Sequence, residues 1–205
     1  MDIKRQIENE DIFLGIELGS TRIKAVLNDL NNYPIEEGTF SWASNYENDI
    51  WTYKLEESVF GLQQAYANLK EKVKNKYGVI IRGFKAIGIS GMMHGYLIFG
   101  KDGNLLTPYR TWRNTMTKEA SVFLTGLFHY NIPQRWSIAH LYQSILRKEN
   151  HIPDITFMTT LSGYIHWILT GEKVLGIGDA SGMFPINFSH KTYDADMIQA
   201  FNTLI

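Results

Sequence analysis

The 205-residue chain is 44% apolar and 20% charged, carries a net charge of −1 and has no cysteine. This is the composition of an ordinary globular domain. It offers no basic field for nucleic acid and excludes disulfides and thiolate chemistry. The first ten residues are polar, with no apolar core of signal-peptide type, and no apolar run reaches the length of a membrane span. The six histidines are scattered, without the spacing of a zinc site.

Along the chain, residues 1–11 read as a mobile polar tail. Strands are predicted over 12–18, 22–29 and 35–42, with a turn at 30–34. Residues 53–77 predict the clearest helix. Leu55, Val59, Leu62, Tyr66, Leu69 and Val73 recur at spacings of four and three and form one apolar stripe. Glu56 and Glu57 lie near its start, lysines lie near its end, and Gly78 follows as a C-cap. Residues 86–90 predict a central strand, apolar on both faces. Residues 96–99 and 105–106 flank a turn at 101–104. Further helices are expected over 116–128, 138–148 and 160–169. The order β-β-β-α-β-α argues for an α/β fold, a mixed β-sheet flanked by helices.

The segment IFLGIELGSTRIK, residues 12–24, is the richest in chemistry. Two β-rich runs meet at a Gly-Ser-Thr tip, and a carboxylate stands at its mouth. Gly19 suits a tight turn, while Ser20 and Thr21 offer hydroxyls and N–H groups to an anionic oxygen. Glu17 can hold Mg²⁺ directly or through water, or it is simply solvated. Lys24 reads as a solvated strand residue. A second segment, FKAIGISGMMHGY at 84–96, runs a strand into a loop bounded by Gly91 and Gly95. There Met92 and Met93 offer an adaptable apolar wall, and His94 can hydrogen-bond a hydroxyl. Trp112 either stacks on a sugar ring or is a core aromatic. Asn114 either meets a sugar hydroxyl or caps the next helix. Asp179 reads as an Asx-turn residue, with a part in organising a cleft as the other reading.

These two segments, followed by LTPYRTWRN (106–114), LTGE (169–172) and GDASGM (178–183), resemble in order the FGGY carbohydrate kinases. The resemblance extends from about residue 13 to residue 184. It implies an RNase H-like domain of the actin/hexokinase/Hsp70 superfamily over residues 12–205. It also implies an ATP-dependent phosphotransferase that uses ATP and Mg²⁺. Glu17, Gly19, Ser20 and Thr21 would face phosphate and metal. Met93, His94, Trp112 and Asn114 would contact a sugar. The family's catalytic Asp and most of its nucleotide-binding domain would lie beyond Ile205, so no catalytic residue is assigned and the chain alone is expected to be inactive.

The chain departs from the family pattern at four places. Glu17 stands where Asp is usual, and Met92 where Gln is usual. Asn114 and Met116 replace the acid and Arg of W-x-D-x-R, and Gly163-Tyr164 replaces an Asp-Tyr pair. The Met93-His94 pair resembles the xylulokinase and ribulokinase branch, which makes a pentulose the first expected substrate and a hexulose or gluconate the next. The implied partner is a small-molecule sugar and the implied location the cytoplasm. Neither nucleic acid nor membrane is a partner, and a homodimer is kept open. The alternative is a non-catalytic sugar-binding or regulatory domain of the same descent. A metal nuclease ranks last, because only Glu17 stands at a suitable strand end.

Overall fold

Alternation of inward and outward residues closes the predicted hairpin in the computed structural model, which describes residues 2–205. β1 (Phe13–Leu18) and β2 (Arg22–Asn28) pair antiparallel. Leu14, Ile16 and Leu18 point inward together with Ile23, Ala25 and Leu27. β3 (Pro34–Ser41) adds antiparallel to β2, and β6 (Ala86–Gly91) adds parallel to β1, giving the order β3-β2-β1-β6. The sheet is therefore mixed, as expected. The described residues fall into two compact units. One takes in the chain up to Ser44 together with Lys54–Met92, and the other Asn45–Tyr53 with Met93–Ile205.

In the first unit α2 (Leu55–Tyr77) lies on β2 and β3. Its ends follow the sequence: Glu56 and Glu57 in the first turn, Lys74 and Lys76 in the last, and Gly78 as a left-handed cap at φ 69°. Its buried face is rotated from the predicted stripe. Leu55, Ser58, Gly61, Ala65, Leu69 and Val73 are buried, while Val59, Leu62 and Tyr66 are only half-buried. Small residues face the sheet because the helix lies almost on its backbone. A Cβ on Gly38 would stand 1.9 Å from the Ala65 carbonyl oxygen, and one on Gly61 2.6 Å from the tips of Ile23 and Phe40.

Two expectations for this unit are corrected. Met1 lies outside the described residues, but the rest of the expected tail is not loose: α1 (Ile3–Glu8) is a helix with Ile7 fully buried. Gln6 accepts the Leu30 N–H at 3.1 Å, which ties the helix to the turn after β2. One buried apolar side chain and one buried amide outweigh the polar composition. The expected central strand is instead an edge. β6 pairs only with β1 among the described residues, and Ile87 is 47% exposed. Apolar composition alone could not tell an open edge from a buried strand.

The second unit opens with the hairpin β4 (Asn45–Glu47) and β5 (Ile50–Thr52). After β7 (Leu97–Phe99) come α3 (Lys118–Phe128), α4 (Ser137–Leu146), β8 (Phe157–Thr159) and α5 (Leu161–Thr170). Next are α6 (Ile177–Ala180), β9 (Ile186–Asn187), β10 (Thr192–Tyr193) and α7 (Ala195–Leu204). Leu124, Phe128, Ile138, Tyr142, Phe184 and Phe201 belong to one core cluster that joins α3, α4 and α7. The turn at 101–104 forms, with Gly103 at φ 74°, but Leu105 makes only an isolated bridge to Phe99. The ladder partner of β7 is β8, some sixty residues away in sequence.

A polar knot is buried in this unit. The Arg110 guanidinium pairs with Glu149, donates to Ser144 Oγ at 2.9 Å, and lies over the Tyr96 ring. Tyr96 hydrogen-bonds His151 Nε2 at 3.0 Å and stacks on His140. Burial pushes the Tyr96 hydroxyl up to about 12. Burial, and then the nearby Arg110 charge, push His140 down to about 3. Both His140 ring nitrogens, Arg110 Nε and the Tyr109 hydroxyl are buried without a partner among the described residues.

Two outcomes follow from this packing. Gly38→Ala meets a rigid main chain and should cost about 3 kcal/mol, or roughly 6–12 °C of Tm. Gly61→Ala meets only movable side-chain tips and should cost less. Equal losses in thermal melts would contradict the close approach. His140 takes up a proton only in the unfolded chain between pH ~6.5 and about 3. Its share of stability is complete above pH ~6.5 and falls by about 1.4 kcal/mol per pH unit below that. Denaturant titrations from pH 7 to 4 should therefore show a shallower acid slope for His140→Phe. An unchanged slope would mean that His140 takes up its proton while folded.

Candidate functional site

The first unit contributes the tip of the β1–β2 hairpin. Gly19 N–H donates to the Arg22 carbonyl at 2.9 Å and closes the turn. Trp42, the residue after β3, braces it twice: its Nε1–H donates to the Gly19 carbonyl at 2.7 Å and its backbone N–H to the Thr21 carbonyl at 3.2 Å. Ser20 and Thr21 are exposed at the tip. A Cβ on Gly19 would come within 3.1 Å of the Arg22 oxygen, so close approach is what calls for glycine there.

Glu17 sits on the sheet face opposite the Leu14–Ile16–Leu18 side, opposite Lys24 on β2 and Ser90 on β6. Together with Gly15, Val26, Gly88 and Ile89 it lines a shallow hollow. Its side chain is half-exposed and forms an ion pair with Lys24 at 2.8 Å. Lys24 is thus engaged rather than simply solvated. An exposed pair of this kind contributes at most about 1 kcal/mol, so Glu17 can exchange Lys24 for another cation at little cost. Among the described residues no three His, Cys, Asp or Glu side chains converge as a metal cage. One carboxylate fits Mg²⁺ in the mode where phosphate oxygens and water complete the shell.

The second unit contributes the loop after β6. His94 has φ 68° and Gly95 φ 91°, so the chain turns sharply at this point. His94 Nδ1 lies 3.0 Å from the Gly182 carbonyl oxygen. A carbonyl can only accept, so Nδ1 carries the proton. Burial, outweighing its other surroundings, lowers the pKa of His94 below its usual value, and Arg135 adds to that effect. The imidazole is therefore neutral at pH 7 and Nε2 is an acceptor. Nε2 makes no hydrogen bond within the described residues. The ring stacks on Trp136 at 6.3 Å, and Met93 beside it is exposed. Gly182 is pressed against this pair: a Cβ there would be 2.6 Å from Nδ1 and 3.2 Å from Met93 Cε.

The remaining expected sugar contacts divide. Trp112 is 44% exposed and is not a core aromatic. Asn114 is corrected, because it is buried and its amide is spent on main chain. Oδ1 accepts from Trp51 N–H at 2.9 Å, while Nδ2 donates to the carbonyls of Trp51 at 2.8 Å and Thr111 at 3.0 Å. It does not cap α3, whose N-cap is Thr117. Asp179 is also corrected: it accepts hydrogen bonds from the hydroxyls of Thr160 and Ser162 and makes no Asx-turn. Trp136, Gly182 and Trp42 escaped the sequence reading. Each acts on a residue far away in the chain, and no local pattern marks such contacts.

The profile described as the FGGY family of carbohydrate kinases, N-terminal domain, matches residues 12–203. No curated protein matches the chain. Among solved structures, a ligand-bound xylulose kinase from Lactobacillus acidophilus is similar over 93% of this chain and 40% of its own, at TM-score 0.79 and 20% identity. A gluconate kinase from the same organism gives 93%, 39%, 0.79 and 20%. A Plasmodium falciparum glycerol kinase crystallised with ADP gives 93%, 40%, 0.70 and 14%. At these identities the likeness shows the fold, which is actin/hexokinase-like, and the chain spans about two fifths of the length of these enzymes. With the family profile covering nearly all of it, the chain belongs to the FGGY family of carbohydrate kinases, in the region of their N-terminal domain.

Proposed function

We propose that this chain is the sugar-holding domain of an ATP-dependent carbohydrate kinase, acting on a ketose or polyol, with a pentulose as the first substrate. The observation that carries the proposal is the neutral His94, whose Nε2 acceptor is left open beside the exposed Met93 and the Trp136 ring. An acceptor flanked by apolar surface suits a polyol, which presents O–H donors and C–H faces side by side. Trp112, exposed in the same unit, is a further candidate for stacking on the carbon face.

In the transfer, the sugar hydroxyl oxygen attacks the γ-phosphorus, the bond to the β-phosphate oxygen breaks, and ADP leaves. His94 would orient the sugar by accepting a hydroxyl proton in a hydrogen bond. The Gly19–Thr21 tip would offer N–H and hydroxyl donors to phosphate oxygens. Glu17 would hold Mg²⁺, directly or through water, and the ion would offset the charge on the phosphates. No residue of this chain is assigned as the base. A cytoplasmic setting belongs to the same proposal. The Glu17–Lys24 ion pair favours a second reading, a non-catalytic sugar-binding or regulatory domain in which that carboxylate is already neutralised.

The chain spans two fifths of kinases of this fold, so coupled ADP-release assays with pentuloses, hexuloses and polyols should show no turnover. Saturable turnover by the purified chain would overturn the division of labour proposed here. For sugar binding, His94→Asn is the sharper variant. Asn accepts φ near 60° readily, so the loop keeps its shape while the imidazole is lost. Calorimetric titration should show sugar affinity reduced by about 1–3 kcal/mol, with Tm nearly unchanged. A large fall in Tm with unchanged affinity would make His94 a structural residue.

A further inference from the structure

Asp179 lies outside the sugar contacts discussed above, yet its carboxylate is the most heavily engaged acid near His94. Its Oδ2 accepts from both Thr160 Oγ1 and Ser162 Oγ. Those hydroxyls stand at the start of α5, where Thr160 also caps the helix by accepting the Gly163 N–H at 3.1 Å. From Asp179 the chain returns at once toward His94. The Asp179 carbonyl accepts the Gly182 N–H at 3.1 Å, and the Gly182 carbonyl accepts from His94 Nδ1 at 3.0 Å. Ser181 Oγ closes the same turn on the Gly178 carbonyl at 2.6 Å. The acid therefore anchors α6 and the turn after it to α5, and the Gly182 end of that turn fixes the imidazole.

We propose that Asp179 is a positioning residue for the sugar site. By tying the 178–182 turn to Thr160 and Ser162, it keeps the Gly182 carbonyl on Nδ1 of His94 and so leaves Nε2 as the acceptor offered to the ligand. The inference rests on the reading of His94 as a sugar contact only in its last clause. The tautomer itself is a property of the free chain.

The choice of tautomer has chemical consequences. With the proton on Nδ1, Nε2 accepts from a sugar hydroxyl, and that hydroxyl oxygen keeps its lone pairs free. With the proton on Nε2, the ring would donate instead, and the hydroxyl would have to turn its own proton elsewhere. An imidazole released from Gly182 samples both forms, so part of the population presents the wrong end. Ligand then binds only the competent fraction, and apparent affinity falls in proportion.

Nitrogen-detected NMR of the histidine rings at pH 7.5 tests this directly. Wild-type His94 should be protonated at Nδ1. In Asp179→Ala, a substantial Nε2-protonated population should appear at His94, with the other five histidines unchanged. Ser162→Ala removes one hydroxyl and leaves the Thr160 cap intact, so it should give a smaller shift in the same direction. It serves as the readout should Asp179→Ala fail to fold. Asp179→Asn keeps one acceptor oxygen and should restore most of the Nδ1 form. Nδ1 protonation retained in both Asp179→Ala and Ser162→Ala, or Nε2 protonation in the wild type, would overturn the proposal. Sugar affinity, measured on the same samples, separates the two ideas. A mixed tautomer with binding weakened in proportion to the remaining Nδ1 form, about 2- to 5-fold, supports both. A mixed tautomer with unchanged binding upholds the positioning role and removes His94 from the sugar site.

Discussion

Gly95 is the point on which the second unit turns. At φ 91° it has no room for a side chain: a Cβ would stand 2.5 Å from the Arg110 carbonyl oxygen and 3.1 Å from the Tyr109 ring. Both its main-chain groups are committed. Its N–H donates to the Arg135 carbonyl at 3.0 Å, and its carbonyl accepts from Ser137 Oγ at 2.6 Å. The segment before α4, the segment around Arg110 and the His94 loop are thereby drawn to a single residue. The next residue, Tyr96, continues the arrangement by exchanging two main-chain hydrogen bonds with Arg110. A left-handed residue such as His94 is tolerated beside this pin because the surroundings over-determine its conformation.

The two units, each taken by itself, carry different chemistry. The hairpin tip is fixed by Trp42 and carries hydroxyls, N–H groups and one exchangeable carboxylate. The His94 loop is fixed by Gly95 and Gly182 and carries one neutral acceptor between apolar surfaces. The first combination suits phosphate and a hard cation, the second a polyhydroxylated carbon chain. The Arg110–Glu149 pair, with Arg110 buried and Glu149 half-buried, does not belong to either set. Its environment lowers the Glu149 pKa even though burial works against that, because the Arg110 charge and hydrogen bonds prevail. It serves instead to hold the segment that Gly95 presses on.

Much of the fold was legible because it is written locally. The β1–β2 hairpin, the extent of α2 and its Gly78 cap all follow from periodicity, charge placement and turn residues within a few positions. Contacts between distant residues were not legible. Leu105 looks like the partner of β7 because it is close in sequence, but β8 takes that place. Strand β6 looks central because Ile87 and Ile89 are apolar, but its far edge is open among the described residues. The glycines at 91 and 95 mark the loop that carries Met93 and His94. The place of Asn114 is not legible, because an amide that mimics a strand partner for Trp51 has the same letter as one that caps a helix. Asp179 looked like a local turn residue, since nothing in its neighbourhood announces Thr160 and Ser162.

The central claim is that sugar is recognised at the His94 loop. Amide chemical-shift mapping of the labelled chain, titrated with D-xylulose, D-gluconate and glycerol, tests it most directly. The account predicts saturable shifts at residues 93–95, 136 and 178–183 with at least one of these compounds, and little change at residues 17–21. Saturable shifts confined to the hairpin tip, or no saturable shift with any compound at concentrations well above those at which sugar kinases bind substrate, would contradict it.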